Sequence, residues 1–140
     1  MIKSNADLES FCLKISKSGY IAIDTEFKRT DTYFPILCLI QIATDELLEI
    51  IDPISINNFQ PLINLLKDHE ITWIFHSARQ DLELIFNEFG LLPKKIFDTQ
   101  IAANFLDFDY QISYQAIIEK VFNVLLEKKY TELIGLKDLC

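Results

Sequence analysis

Glycine is scarce in this chain, three residues in 140, and no run of apolar residues approaches the length of a bilayer span. With half of the residues hydrophobic, the first scarcity argues against a disordered or low-complexity protein; the second argues against a membrane-spanning helix. The N-terminus has neither the basic nor the apolar region of a signal peptide. Cysteine is limited to Cys12, Cys38 and Cys140, an odd number without ligand spacing, so neither a disulfide framework nor a zinc centre is suggested and a reducing cytoplasm is expected. Positive charge is also short: 13 Lys and Arg stand against 21 Asp and Glu, a net charge of −8. A nucleic-acid binder normally gains affinity from cationic surface, so such an activity here would need metal ions and local basic clusters. Lys28-Arg29, Lys94-Lys95 and Lys128-Lys129 are the available clusters, each equally readable as ordinary solvated side chains.

What is present reads as one domain with a real core. Residues 6–17 have helical apolar spacing, with Ser4 or Asn5 as a cap, and Gly19 breaks the pattern before a strand starting at Tyr20. The nearly continuous apolar run 36–43 predicts a second strand, and 47–52, after an Asp45-Glu46 turn, a third. Residues 59–67 predict a helix, 72–76 a fourth strand, 78–89 a helix ended by Gly90, and 95–98 a short strand. Helices follow over 99–106 and 113–126. Three strands in a meander, then alternating helix and strand, indicate an α/β mixed sheet.

The stretch "IAIDTEFKRT" at 21–30 puts two carboxylates at the end of a buried strand. Side chains alternate along a strand, so Asp24 and Glu26 share a face with anchors about 6.6–6.8 Å apart. Two carboxylates about 4 Å apart at an effective dielectric near 20 repel by about 4 kcal/mol, so a fold retains the pair only if a cation, a basic side chain or water neutralises it. Asp81, in the first turn of its helix, and Asp98, at the start of another, are two more acids placed where strands end or helices begin. The helix dipole is a sufficient structural reason for Asp81, and capping the better account of Asp98. Carboxylate clusters suit hard Mg²⁺ or Mn²⁺. Spacing and composition reach no further than a metal-dependent enzyme on a mixed sheet.

Three blocks go further. "DTEFKRTDTYFPILCLIQ" at 24–41, "HSARQDLELIF" at 76–86 and "FDTQIAANFL" at 97–106 resemble, in order and nearly without gaps from about residue 7 to residue 128, the ribonuclease D family of DEDD 3′–5′ exonucleases. The resemblance implies a ribonuclease H-like fold: a five-stranded mixed sheet with its second strand antiparallel, flanked by helices. It implies that Asp24, Glu26 and Asp81 are catalytic and hold two divalent cations, Mg²⁺ or Mn²⁺. It gives substrate-side positions to Thr25, Phe27 and His76. Each of these also has a structural reading: packing on the opposite strand face for Thr25, a core contact for Phe27, a hydrogen-bonding strand end for His76. The implied reaction is hydrolysis of RNA 3′ ends, notably of tRNA precursors; no protein partner is evident.

One part of the family pattern is missing. A Tyr followed four residues later by an Asp, which supply the water-orienting hydroxyl and the fourth carboxylate, has no counterpart after Asp81, and the helical RNA-binding module is absent as well. The last ten residues, "TELIGLKDLC", stand where the family has Arg-Thr-Asp-Trp followed by Arg-Pro-Leu. With one choice of codons, residues 132–140 read one base earlier become Arg-Thr-Asp-Trp-Ala-Lys-Arg-Pro-Leu. The expectation is therefore an incomplete exonuclease domain over residues 1–130 and a frameshifted tail over 131–140, with impaired activity. The alternatives are a non-catalytic remnant that at most binds RNA or metal weakly, or a chain completed by a partner that supplies the Tyr and Asp.

Overall fold

The computed structural model describes residues 1–29 and 34–126. The expected tail at 131–140, the Lys128-Lys129 cluster, and Thr30 and Tyr33 of the first family block lie outside the described residues. Helix α1, Asn5–Ile15, begins where the Ser4 hydroxyl accepts the Asp7 N–H, and it buries Leu8, Phe11, Cys12 and Ile15, one stripe at helical spacing. Strands β1 (Tyr20–Lys28), β2 (Ile36–Ala43) and β3 (Leu48–Ile51) form an antiparallel meander. Pro53–Ser55 makes a 3-10 turn, capped by Asp52, that the sequence did not suggest. Helix α2 (Gln60–Lys67), strand β4 (Thr72–Phe75), helix α3 (Arg79–Phe89) and strand β5 (Lys95–Asp98) follow, then helices α4 (Thr99–Asn104) and α5 (Tyr114–Phe122). The sheet order is β3-β2-β1-β4-β5, with β4 parallel to β1 and β5 parallel to β4, so only β2 runs against the rest. This is the mixed five-stranded sheet expected from the sequence.

Strand alternation divides the sheet into two faces. Ile21 and Ile23 of β1, Ile40 and Ile42 of β2, Ile51 of β3, and Trp73 and Phe75 of β4 are all buried against α1, α2 and α3. Burying a Leu or Ile side chain contributes about 1.5–3 kcal/mol, so this face is where stability concentrates. Cys12 is free and packed in that core. The other face presents Ala22, Asp24, Gln41, Ala43 and Ile74, only partly covered. No helix among the described residues is long and apolar enough to cross a membrane.

Three boundaries differ from expectation. β1 continues to Lys28, so Asp24 and Glu26 lie inside the strand, because β2 pairs with it as far as Lys28↔Ile36. Cys38 is the extra residue of a bulge opposite Glu26 and Phe27, a feature that strengthens local twist. Helix α4 stops at Asn104, and α5 stops at Phe122 because Asn123 adopts a left-handed conformation (φ 54°) and closes the last turn with its N–H on the Glu119 carbonyl.

Candidate active site

The site begins where two parallel strands part. β1 and β4 are paired only over Tyr20↔Thr72 to Ala22↔Ile74. Beyond Ala22 the β4 side of β1 is open, and the first turn of α3 comes in beside it. There the Thr25 N–H and hydroxyl both donate to Asp81 Oδ1, at 3.0 and 2.5 Å. Thr25 and Asp81 are both buried. Thr25 faces away from Asp24 and Glu26, as alternation requires, but it fixes Asp81 rather than merely packing. With both donors used on Asp81, Thr25 is placed to hold a carboxylate.

Asp24 feels this arrangement. Its carboxyl is pushed up from 3.8 to about 6, first by loss of hydration against the sheet, then by the negative charges of Asp81 and Glu26. The residue is still open to solvent at its strand position, so the neighbouring charges are the part of the shift that a cation could reverse. Burial also raises Asp81, with Asp98 adding to it, and the Thr25 hydrogen bonds oppose both. Among the described residues no three His, Cys, Asp or Glu side chains are grouped closely enough to hold a metal ion. Asp24, Glu26 and Asp81 stand as a loose set around the point where β1 and β4 part. Asp24 lies within electrostatic reach of both partners, while one Asp81 oxygen is committed to Thr25. The donors themselves fit a hard divalent cation: all are carboxylate oxygens, and their mutual repulsion is what such an ion would relieve.

Next to Asp24, a cavity of about 380 Å³ opens on the partly covered face, lined by Ala22, Gln41, Ile74, His76, Thr99 and Tyr114 among others. His76 contributes its ring edge but has little freedom. Nδ1 lies 2.8 Å from the Thr99 hydroxyl, Nε2 donates to the Ile112 carbonyl at 2.9 Å, and Tyr114 packs edge-on with ring centroids 5.7 Å apart. That is the hydrogen-bonding strand end that the sequence allowed, here with a face on the cavity. Phe27 is half-buried beneath the Arg29 guanidinium, 5.5 Å from its ring centre. Of the basic clusters, Lys28 and Arg29 are exposed at the end of β1, near the carboxylates in sequence, while Lys94 and Lys95 lie at the start of β5.

Asp98 caps α4 through the Gln100 and Ile101 N–H groups, as its position in the sequence suggested, but it does more. Its Oδ1 also accepts the Ser77 N–H at 3.0 Å and its Oδ2 the Ala78 N–H at 2.8 Å. Partial burial pushes its pKa up, but the four backbone donors outweigh that and hold it below the usual carboxylate range. Neither this reach across to the β4–α3 turn nor the Thr25–Asp81 contact, 56 residues apart in sequence, carries a local signal.

Comparison with known proteins agrees with the fold and with the sequence blocks. A family model described as 3′–5′ exonuclease matches residues 1–137. The ribonuclease D of Sphingobium indicum is 42% identical over 130 residues, which cover 91% of this chain and 34% of that protein. Among solved structures, Escherichia coli RNase D, an exoribonuclease involved in structured RNA processing, superimposes with a TM-score of 0.89 at 39% identity. That match covers 94% of this chain and 35% of the other. The catalytic core of RRP6 from Trypanosoma brucei gives 0.83 at 28% identity, covering 92% and 36%. The chain thus spans about a third of the length of the curated relatives it matches. It belongs to the 3′–5′ exonuclease family and is ribonuclease D-like within it.

Proposed function

We propose that this chain is a 3′–5′ exoribonuclease that removes nucleotides hydrolytically from RNA 3′ ends, of the kind carried by tRNA precursors, in the cytoplasm. The observation that carries the reading is Asp24, an exposed strand carboxylate burdened by two neighbouring carboxylates at the mouth of a cavity. Asp24, Glu26 and Asp81 would hold two divalent cations, Mg²⁺ or Mn²⁺, which supply an activated water and stabilise the leaving oxygen in phosphodiester hydrolysis. Thr25 keeps Asp81 turned toward β1, and His76 borders the cavity where a terminal nucleotide would lie, with Phe27 three residues along β1 from Asp24 as the further substrate-side candidate. The cations also answer the charge difficulty: a surface with net charge −8 needs them to accept a phosphate backbone.

The sequence contains no Tyr-x-x-x-Asp after Asp81, so the 140-residue chain should work poorly. Loss of groups that merely support metal ligands typically costs about 10–100-fold; here a ligand and the water-orienting hydroxyl are both wanting. The test is shortening of 5′-labelled RNA with Mn²⁺. Stepwise 3′ loss at least about 10²-fold slower than by a full-length ribonuclease D is expected, and Asp24→Ala should abolish it. Rapid turnover by these 140 residues that Asp24→Ala removes would show that the fourth carboxylate is dispensable or supplied elsewhere. A second reading, a non-catalytic remnant, is favoured by the hold of Thr25 on Asp81 and by the open carboxylate set. Mn²⁺ binding without any RNA shortening would select it.

A further inference from the structure

α3 carries Asp81 in its first turn yet has no side-chain cap of its own: Ala78 is its N-cap residue and offers none. The turn before it is strained, with Ser77 at φ 63°, a left-handed conformation unusual for serine. Helix α4, only six residues long, needs at most one acceptor at its start, and one Asp98 oxygen, Oδ1, meets that need through Gln100 and Ile101. The other oxygen is given entirely to the Ala78 N–H, and Oδ1 also takes the Ser77 N–H. From Ala78 the helix then runs on through the Leu82 N–H, which donates to the Ala78 carbonyl at 2.9 Å.

We propose that Asp98 is a positioning residue for the site: by gripping Ser77 and Ala78 across the β4–α3 turn, it sets where α3 begins and so where Asp81 meets Thr25. Its consequence for catalysis rests on the exonuclease reading above; the geometric link does not. Two local reporters make the link measurable. The Thr25 N–H lies past the end of the β1–β4 pairing and its bond goes to Asp81, so its hydrogen exchange follows Asp81; the Ser77 and Ala78 amides follow the grip itself.

Asp98→Ser separates the two tasks, because a serine hydroxyl can cap α4 but is too short to span both sites. In the 140-residue chain, exchange at Thr25, Ser77 and Ala78 should quicken by at least about tenfold while Gln100 and Ile101 stay protected. Mn²⁺ affinity should fall by about 10–100-fold, and in RNA shortening kcat should fall with KM unchanged. Should Asp98→Ser fail to fold, Asp98→Asn serves in its place, since it presents an amide nitrogen toward the Ala78 N–H and should quicken exchange at Ala78 and Thr25. Exchange at Thr25 equal to the parent's, in whichever variant folds, overturns the proposal. A parent chain that neither binds Mn²⁺ nor shortens RNA would instead sink the exonuclease reading, and the exchange result would still decide the role of Asp98.

Discussion

The two faces of the sheet are built from the same strands and alternating residues, yet they serve opposite ends. On the sealed face Leu8, Ile21, Ile42, Leu62, Leu66 and Trp73 are at 0% exposure under α1, α2 and α3. On the side of β5, α4 and α5, Phe97, Ile101, Phe105, Tyr110 and Phe122 stand largely exposed, and Asp24 opens onto the cavity. Apolar surface out of water stabilises; carboxylates deprived of water and crowded together do the reverse. The chain thus keeps its cohesion on one face and its chemistry on the other. Thr25, a core-face residue, reaches Asp81 in the first turn of α3 and so ties the sealed face to the carboxylate set.

The largest effect should come from the sealed face. Leu66 of α2 is fully buried in the cluster that joins α2 to the sheet. Leu66→Ala is expected to destabilise by about 2–5 kcal/mol, the usual range for a buried leucine whose site cannot fully collapse. Urea unfolding with an unchanged slope would measure it. A cost below about 1 kcal/mol would mean that this face is not the principal source of stability.

How legible each face was in the sequence follows from what determines it. β1, β2 and the helices of the sealed face could be read from local pattern: 8, 11, 12 and 15 form a helical stripe, and 21, 23 and 25 alternate with 22, 24 and 26. Gly90 at φ 70° ended α3 as expected of a glycine in a left-handed cap. Asp24, Glu26 and Asp81 were singled out by spacing and by the family blocks, but their relative disposition was not readable. It depends on β1 and β4 parting after Ala22, on a bulge at Cys38, and on contacts 20 or more residues apart, such as Asp98 to Ser77. The end of α5 was overestimated because apolar spacing continued past Asn123, whose backbone turns left-handed.

An intermediate effect belongs to the charged face, and its sign can be worked out. Asp24 has a raised pKa in the folded chain, about 6 against 3.8, so between about pH 4 and 6 the folded state holds a proton that the unfolded state has released. Stability from this group therefore falls as pH rises through that window, and the penalty is complete above it. Asp98, with a lowered pKa, acts oppositely: its contribution is present above the unfolded value and is lost as pH falls through the folded one. Asp24→Asn should raise Tm at pH 7 and leave it nearly unchanged at pH 4. Because Asp24 is open to solvent, screening keeps the gain modest, within a few degrees. Mn²⁺ should raise the Tm of the parent at pH 7 but not that of Asp24→Asn. Equal Tm values at pH 7, with no response to Mn²⁺, would remove the contrast between the faces on the side of charge.

The smallest effect should come from the apolar side chains of the open side. Phe105 follows α4 and is 83% exposed; its backbone N–H, not its ring, closes the helix by donating to the Ala102 carbonyl. Removing the ring therefore removes little buried area, and alanine keeps the backbone bond and suits a helix end at least as well. Phe105→Ala is expected to change stability by no more than about 0.5 kcal/mol, as for surface positions generally. Urea unfolding on parent and variant, at two protein concentrations, checks this. A loss above about 1.5 kcal/mol would mean the ring is packed in solution, which no exposed side chain should be. If that loss grew with protein concentration, the ring would be covered by a second copy; if it did not, another part of the same chain would cover it. In either case the two faces would differ less than their exposures indicate.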